Sequence, residues 1–176
     1  MKRYVAFLRG INVSGQKLIK MELLKEMMTM PGFKNVVTYI QSGNIAFDAK
    51  ETDNEQLALK MEKKLLKDLG YEVPVVVRSM EELNEVIAAN PFSKQGEGDT
   101  RKLYVNFLDK APQPGAHALL LPYATAEEEL AIVNKELYLL MPGAGNTKLN
   151  LSLIEKKLGV TATARNWNTV NKMITM

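Results

Sequence analysis

The feature that most constrains this chain is an internal echo. Tyr4-Val-Ala-Phe-Leu8 returns as Tyr104-Val-Asn-Phe-Leu108, with four of five positions identical. Lys67-Asp-Leu-Gly-Tyr-Glu-Val73 is likewise echoed by Lys156-Lys-Leu-Gly-Val-Thr-Ala162, each a helix-like run that stops at glycine before an extended segment. Self-similarity of this kind bears on the whole architecture before any element is placed. Two halves of one design are therefore expected within the 176 residues, a length sufficient for one large domain or two small ones with real cores.

In the first half, residues 3–8 form a near-continuous apolar strand, and 18–30 form a helix with Met21, Leu24, Met27 and Met28 at helical spacing. Pro31-Gly32 stops that helix. Two short β-rich runs, 36–40 and 45–47, flank the turn-like Gln41-Ser-Gly-Asn44. Thr52-x-x-Glu55 has the form of a capping box and opens a helix that places Ala58, Met61, Leu65 and Leu69 on one face and ends at Gly70. A strand follows at 73–78, and Ser79-x-x-Glu82 caps a further helix to about residue 89.

The second half repeats the order: strand 102–108, helix 115–121, strands 129–133 and 136–140 around a tight turn at Asn134-Lys135, helix 149–158, extended 160–164, and a closing helix from about Arg165. The pattern predicts an α+β fold of two tandem ferredoxin-like (βαββαβ) subdomains related by internal duplication, each followed by an extra helix. The expected boundaries are 1–90 and 102–176, with the polar, glycine-containing stretch 91–101 as linker.

Composition narrows the chemistry. There is no cysteine, which excludes disulfides, thiol nucleophiles, cysteine zinc sites and iron–sulfur clusters. The single histidine, His117, sits in an Ala/Leu-rich stretch without a second histidine or nearby acid, so no metal site is expected, and no cofactor. No apolar run approaches the roughly 20 residues needed to span a bilayer, and the first residues break off too soon for a signal peptide, so a soluble cytoplasmic protein is expected. The formal net charge is +3, unevenly distributed. Lys2, Arg3, Arg9, Lys17, Lys20 and Lys25 face one acid, Glu22, near the start, and Lys148, Lys156, Lys157, Arg165 and Lys172 face Glu155 near the end. Brought together they would favour an anionic partner; scattered, they are solvated lysines.

Three segments carry polar, small or flexible residues beyond what packing needs. Arg9-Gly-Ile-Asn-Val-Ser-Gly-Gln-Lys17 leaves the first strand and enters the first helix, where exposed backbone N–H groups and the helix dipole suit a phosphate or carboxylate. It does not match a Walker A loop, and an ordinary loop with glycines at positive φ is the competing account. In the turn, Gln41 and Ser42 present an amide and a hydroxyl beside Asn44, unless the segment is a plain hairpin. Thr163-Ala-Arg-Asn-Trp-Asn-Thr-Val-Asn-Lys172 offers the forked cation of Arg165, the amides of Asn166 and Asn168, and the flat face of Trp167, with Thr163 as a helix cap. A tryptophan that only anchors the last helix is the alternative.

Weaker signals are the loop Pro142-Gly-Ala-Gly-Asn-Thr147, suited to an anion, and Tyr104, placed like a base-stacking aromatic on an RNA-contacting strand whose companion motif is missing. The methionines mostly follow helical periodicity and read as core.

Tyr-Val-Ala-Phe-Leu-Arg-Gly-Ile-Asn-Val-Ser-Gly at 4–15, Tyr-Ile-Gln-Ser-Gly-Asn at 39–44 and Thr-Ala-Arg-Asn-Trp-Asn-Thr-Val at 163–170 together closely resemble the bacterial family of unknown function DUF1697, over essentially the whole chain. The resemblance implies two ferredoxin-like subdomains and no established activity, substrate or cofactor. It places the family's recurrent polar positions on Arg9, Gly10, Asn12, Gly15, Ser42, Gly43, Asn44, Arg165, Asn166 and Trp167.

The leading functional expectation is binding of a small anionic ligand, a nucleotide or phosphorylated metabolite, in a pocket formed by 9–17, 41–44 and 163–170. Its ligand residues would be Arg9, Asn12, Ser14, Gly15, Gln41, Ser42, Asn44, Arg165, Asn166 and Trp167. The alternatives are nucleic-acid binding through the basic ends with Tyr104 or Trp167 as platform, and a phosphoryl- or acyl-group enzyme. The enzyme reading is disfavoured because the motif segments offer only Ser14, Ser42 and Lys17, with Asp48 as the nearest acid.

Overall fold

Both echoed segments form central strands, β1 (Lys2–Leu8) and β5 (Lys102–Leu108). The computed structural model describes residues 1–50, 53–96, 98–143 and 147–176. Within these residues the chain is a mixed α+β protein with two four-stranded antiparallel sheets and six α-helices. It divides into two compact units, Met1–Asn84 with Lys172–Met176, and Glu85–Asn171.

In the first unit β1 is followed by α1 (Met21–Met28), β2 (Phe33–Tyr39), β3 (Asn44–Ala49), α2 (Asn54–Leu69), β4 (Val75–Ser79) and the first turn of α3 (Met80–Ala88). The sheet order is β2-β3-β1-β4. Tyr4, Ala6 and Leu8 alternate along β1 and join Ile45 and Phe47 of β3 in a core with Leu24 and Met28 of α1 and Leu57, Met61 and Leu65 of α2. The i, i+4 spacing on each helix is what turns those residues to one face. Phe47 stacks on Phe33 and on Tyr4, with ring centroids 4.4 and 5.7 Å apart. Each such side chain contributes about 1.5–3 kcal/mol on burial.

The second unit runs β5, α4 (Ala116–Leu120), β6 (Glu129–Val133), β7 (Glu136–Met141), α5 (Leu151–Leu158), β8 (Ala162–Asn166) and α6 (Trp167–Met173), whose last residues belong to the first unit. The sheet order is β6-β7-β5-β8. Leu108, Leu137, Leu139 and Met141 pack there with Leu120, Ile154 and Leu158. Gly70 and Gly159 both stand in the left-handed region after α2 and α5, as the echoed Leu-Gly pairs suggest. Ser79 and Glu82 close a reciprocal capping box at the start of α3, with bonds of 2.7 and 3.1 Å.

Several boundaries differ from the sequence expectation. Helix α1 begins at Met21 rather than 18, because the backbone of Ile19 is tied to Asn12 and Lys20 is extended. Strand β2 begins at Phe33 rather than 36, through a bulge between Lys34 and Val37 where Asn35 takes a positive φ. The cap of α2 is Asp53, whose carboxylate accepts from the amides of Glu55 and Gln56; Thr52 lies outside the described residues. Arg165 and Asn166 lie on β8, and α6 starts at Trp167. Its first turn is capped by Asn166, which accepts from the Thr169 amide at 2.8 Å, and not by Thr163. The Thr163 hydroxyl instead accepts from Arg165.

Candidate functional site

At the carboxyl end of β1, two turns are fastened to each other. The Leu8 amide donates to the Gly43 carbonyl at 2.8 Å, so the loop leaving β1 starts beside the β2–β3 turn. Asn12 completes the junction. Its Oδ1 accepts from the Ile19 amide at 2.8 Å, and its Nδ2 donates to the carbonyls of Ile19 at 3.1 Å and Gln41 at 2.8 Å. The loop closes on itself through Asn12 N–H to the Lys17 carbonyl at 3.1 Å. Asn12, Ser14 and Lys17 all stand at positive φ, +53°, +50° and +47°, which non-glycine residues adopt at a cost.

The hairpin side is equally determined. Gly43 has φ +82°, and a Cβ there would lie 2.7 Å from Ile11 Cδ1 and 2.9 Å from Leu8 Cβ. Asn44 is fully buried, its Nδ2 donating to the Tyr39 carbonyl and the Ser42 hydroxyl, each at 2.9 Å. The amides of Asn12 and Asn44 are thus engaged in building the two turns. Ser14, Gly15, Gln41 and Ser42 are exposed on them, and Arg9 is half-buried at the loop's start. Lys17 Nζ donates to the Glu72 carbonyl at 3.0 Å and lies 5.1 Å from the Tyr71 ring centroid.

The third expected segment belongs to the second unit. Arg165, 6% exposed, pairs across β5 with Val105, and its Nη1 donates to the Thr163 hydroxyl and the Ala164 carbonyl, each at 2.7 Å. Burial pushes its guanidinium pKa down to about 9. Asn166 is exposed, and Trp167 is half-buried with its carbonyl accepting from Asn171 Nδ2 at 2.8 Å. Sequence reasoning missed Arg78 in the first unit. Arg78 is 3% exposed, lies opposite Val5 as Arg165 lies opposite Val105, and donates through Nη1 to the carbonyl before it, Val77, at 2.9 Å. The signal was available: Arg78-Ser79 and Arg165-Asn166 are each an arginine followed by the cap of the next helix.

The remaining sequence candidates have structural surroundings. Tyr104 packs against the core of the second unit, and His117 Nε2 lies 3.2 Å from the Leu130 carbonyl. Asp48 accepts from Asn35 Nδ2 at 2.6 Å and from Arg3 Nη1 at 3.0 Å, and these bonds, Asn35 first, hold its pKa below the usual carboxylate range. Residues 144–146 of the 142–147 loop lie outside the described residues. Among the described residues no cluster of His, Cys, Asp or Glu could hold a metal ion, and no helix is long and apolar enough to cross a membrane.

Comparison with solved structures places this architecture alongside the conserved bacterial protein SP0830 from Streptococcus pneumoniae, with a TM-score of 0.79 at 22% identity, covering 99% of this chain and 97% of that one. At that identity the likeness speaks for the fold. No curated protein matches the chain. The family model described as protein of unknown function DUF1697 matches residues 1–138, which include both fastened turns and the whole first sheet, and the chain belongs to that family.

Proposed function

We propose that the protein binds a small anionic ligand, a nucleotide or phosphorylated metabolite, at the junction of the 9–17 loop and the 41–44 turn. The observation that carries this reading is the make-up of the junction: Asn12, Gly43 and Asn44 fix two turns on which Ser14, Gln41 and Ser42 are exposed and Arg9 is half-buried. A cation with hydroxyl and amide donors on a backbone that is already ordered suits an oxyanion, because little ordering remains to oppose binding. Binding without catalysis fits the absence of a histidine or carboxylate in these segments.

A thermal-shift series with nucleotides and phosphorylated metabolites tests the reading. A ligand present at 100 times its Kd stabilises by about 2.7 kcal/mol, which raises the Tm by several degrees, and Arg9→Ala should remove the rise. Failure of every compound to raise the Tm overturns it. Asn166→Ala, run in parallel, reports on the contribution of the 163–170 segment.

We also infer that the two units are tandem ferredoxin-like copies and that the protein resides in the bacterial cytoplasm. The first inference is supported by the common strand order and by the matching placement of Arg78 and Arg165.

A further inference from the structure

Strand β1 has a second end, and it is differently furnished. Lys2 pairs with Ala49 while Phe7 pairs with Asn44, so the start of β1 lies five residues, roughly 17 Å, from the fastened turns. There the sheet and α2 enclose a cleft of about 450 Å³ with Phe33, Ala49 and Leu57 as its apolar floor and Lys34, Lys50 and Lys60 at its rim. That volume falls within the range of small-molecule sites. All three lysines are exposed, and none of their ammonium groups makes an ion pair or hydrogen bond among the described residues. No Asp or Glu lines the cleft among the described residues. Among the described residues, two nearby acids are engaged elsewhere: Asp48 with Arg3 and Asn35, and Asp53 with the first amides of α2.

The second unit shows that the fold does not require this charge. Lys34 stands opposite Asp48, which is opposite Arg3; at the matching position of the other sheet Glu129 stands opposite Leu140, which is opposite Leu103. Glu129 accepts from Arg101 Nη1 at 2.6 Å, and Asp99 accepts from the same guanidinium at 2.8 Å, so that cation is neutralised internally. Where one unit balances its charge, the other gathers three cations around an opening.

We propose that this cleft binds a small anion carrying two or more linked phosphates. Three ammonium groups act as point charges that a phosphate chain can span without the fixed fork geometry arginine imposes. The apolar floor would receive the organic part of such a ligand. The site is separate from the fastened turns and does not depend on their reading.

The test is titration of the full chain, without divalent metal and at low salt, with orthophosphate, tripolyphosphate and ATP, followed through the backbone amide resonances. Tripolyphosphate should shift the amides of Gly32, Lys34, Lys50 and Lys60, bind about tenfold tighter than orthophosphate, and weaken as salt is raised. Lys34→Gln with Lys60→Gln should weaken it about tenfold. A charge-matched pair elsewhere, Lys25→Gln with Lys110→Gln, should change it less than twofold. ATP binding tighter than tripolyphosphate assigns the floor to a nucleoside, and equal binding assigns the site to the phosphate chain alone; both support it. Equal losses in the two double variants, shifts confined to residues 9–17 and 40–44, or no binding of tripolyphosphate overturn it. These lysines are exposed, so an unchanged melting curve for each variant shows that the fold is intact.

Discussion

Three hydrogen bonds converge on the Asn12 side chain, two to Ile19 and one to Gln41, and no other natural side chain of that size offers both a donor and an acceptor in that plane. Asn12→Ala should cost about 2–3 kcal/mol in denaturant unfolding, the sum of two or three ordinary bonds, and Asn12→Asp should recover only part, since a carboxylate cannot donate to Gln41. Gly43→Ala forces a Cβ to within 2.7 Å of Ile11 at a left-handed backbone position, so a loss of about 1–3 kcal/mol is expected. Ile11→Val, which removes the nearest atom, should recover part of that loss in a double-mutant cycle. Asp48 sets a pH dependence. Its folded pKa is depressed below the unfolded value of about 3.8 by Asn35 first and then Arg3. Its contribution is therefore complete above that pH and is lost as the pH falls through the folded value. Asp48→Asn should flatten the fall in stability below about pH 4, read from melting temperatures across an acid titration.

Among the elements, α1 starts without a side-chain cap. Lys20 precedes it with an extended backbone and no capping bond, whereas Asp53, Ser79 and Asn150 all cap their helices. Lys20→Asp should stabilise the protein by about 0.5–1 kcal/mol in denaturant unfolding, adding both a cap and a favourable charge at the dipole's positive end. The helical stripes, the cap at Ser79 and the Leu-Gly stops could be seen in the sequence because each depends on residues within a turn or two. The starts of α1 and β2 could not. One is decided by a contact from Asn12 seven residues away, and the other by an Asn35 bulge that closes on Asp48 across the sheet. Thr163 and Asn166 compete for the same capping role on equal sequence terms, and the pairing of β8 with β5 out to Asn166 decided between them.

On the scale of the whole molecule, the last residues of the chain return to the first unit. Arg3 Nε donates to the Met176 carbonyl at 3.0 Å, and Met173 is fully buried. Deleting 172–176 should lower the melting temperature and speed amide exchange in β1, because a core side chain and a backbone acceptor are removed together. The two central strands were legible from Tyr4-Val-Ala-Phe-Leu8 and its echo because central strands are apolar on both faces, and so leave a continuous local signature. Periodicity, stops and the echoed strand were sufficient, by themselves, to indicate an α+β chain in two similar halves, along with the polar segments worth inspecting. Tertiary structure alone decided what those polar groups do: that the amides of Asn12 and Asn44 bind backbone, that Arg78 shares the placement of Arg165, and that Lys34, Lys50 and Lys60 surround one opening. The reason is physical. A hydrophobic stripe is set by the period of its own helix or strand, whereas a polar side chain takes its partner from whatever distant strand or loop the fold brings within 3 Å.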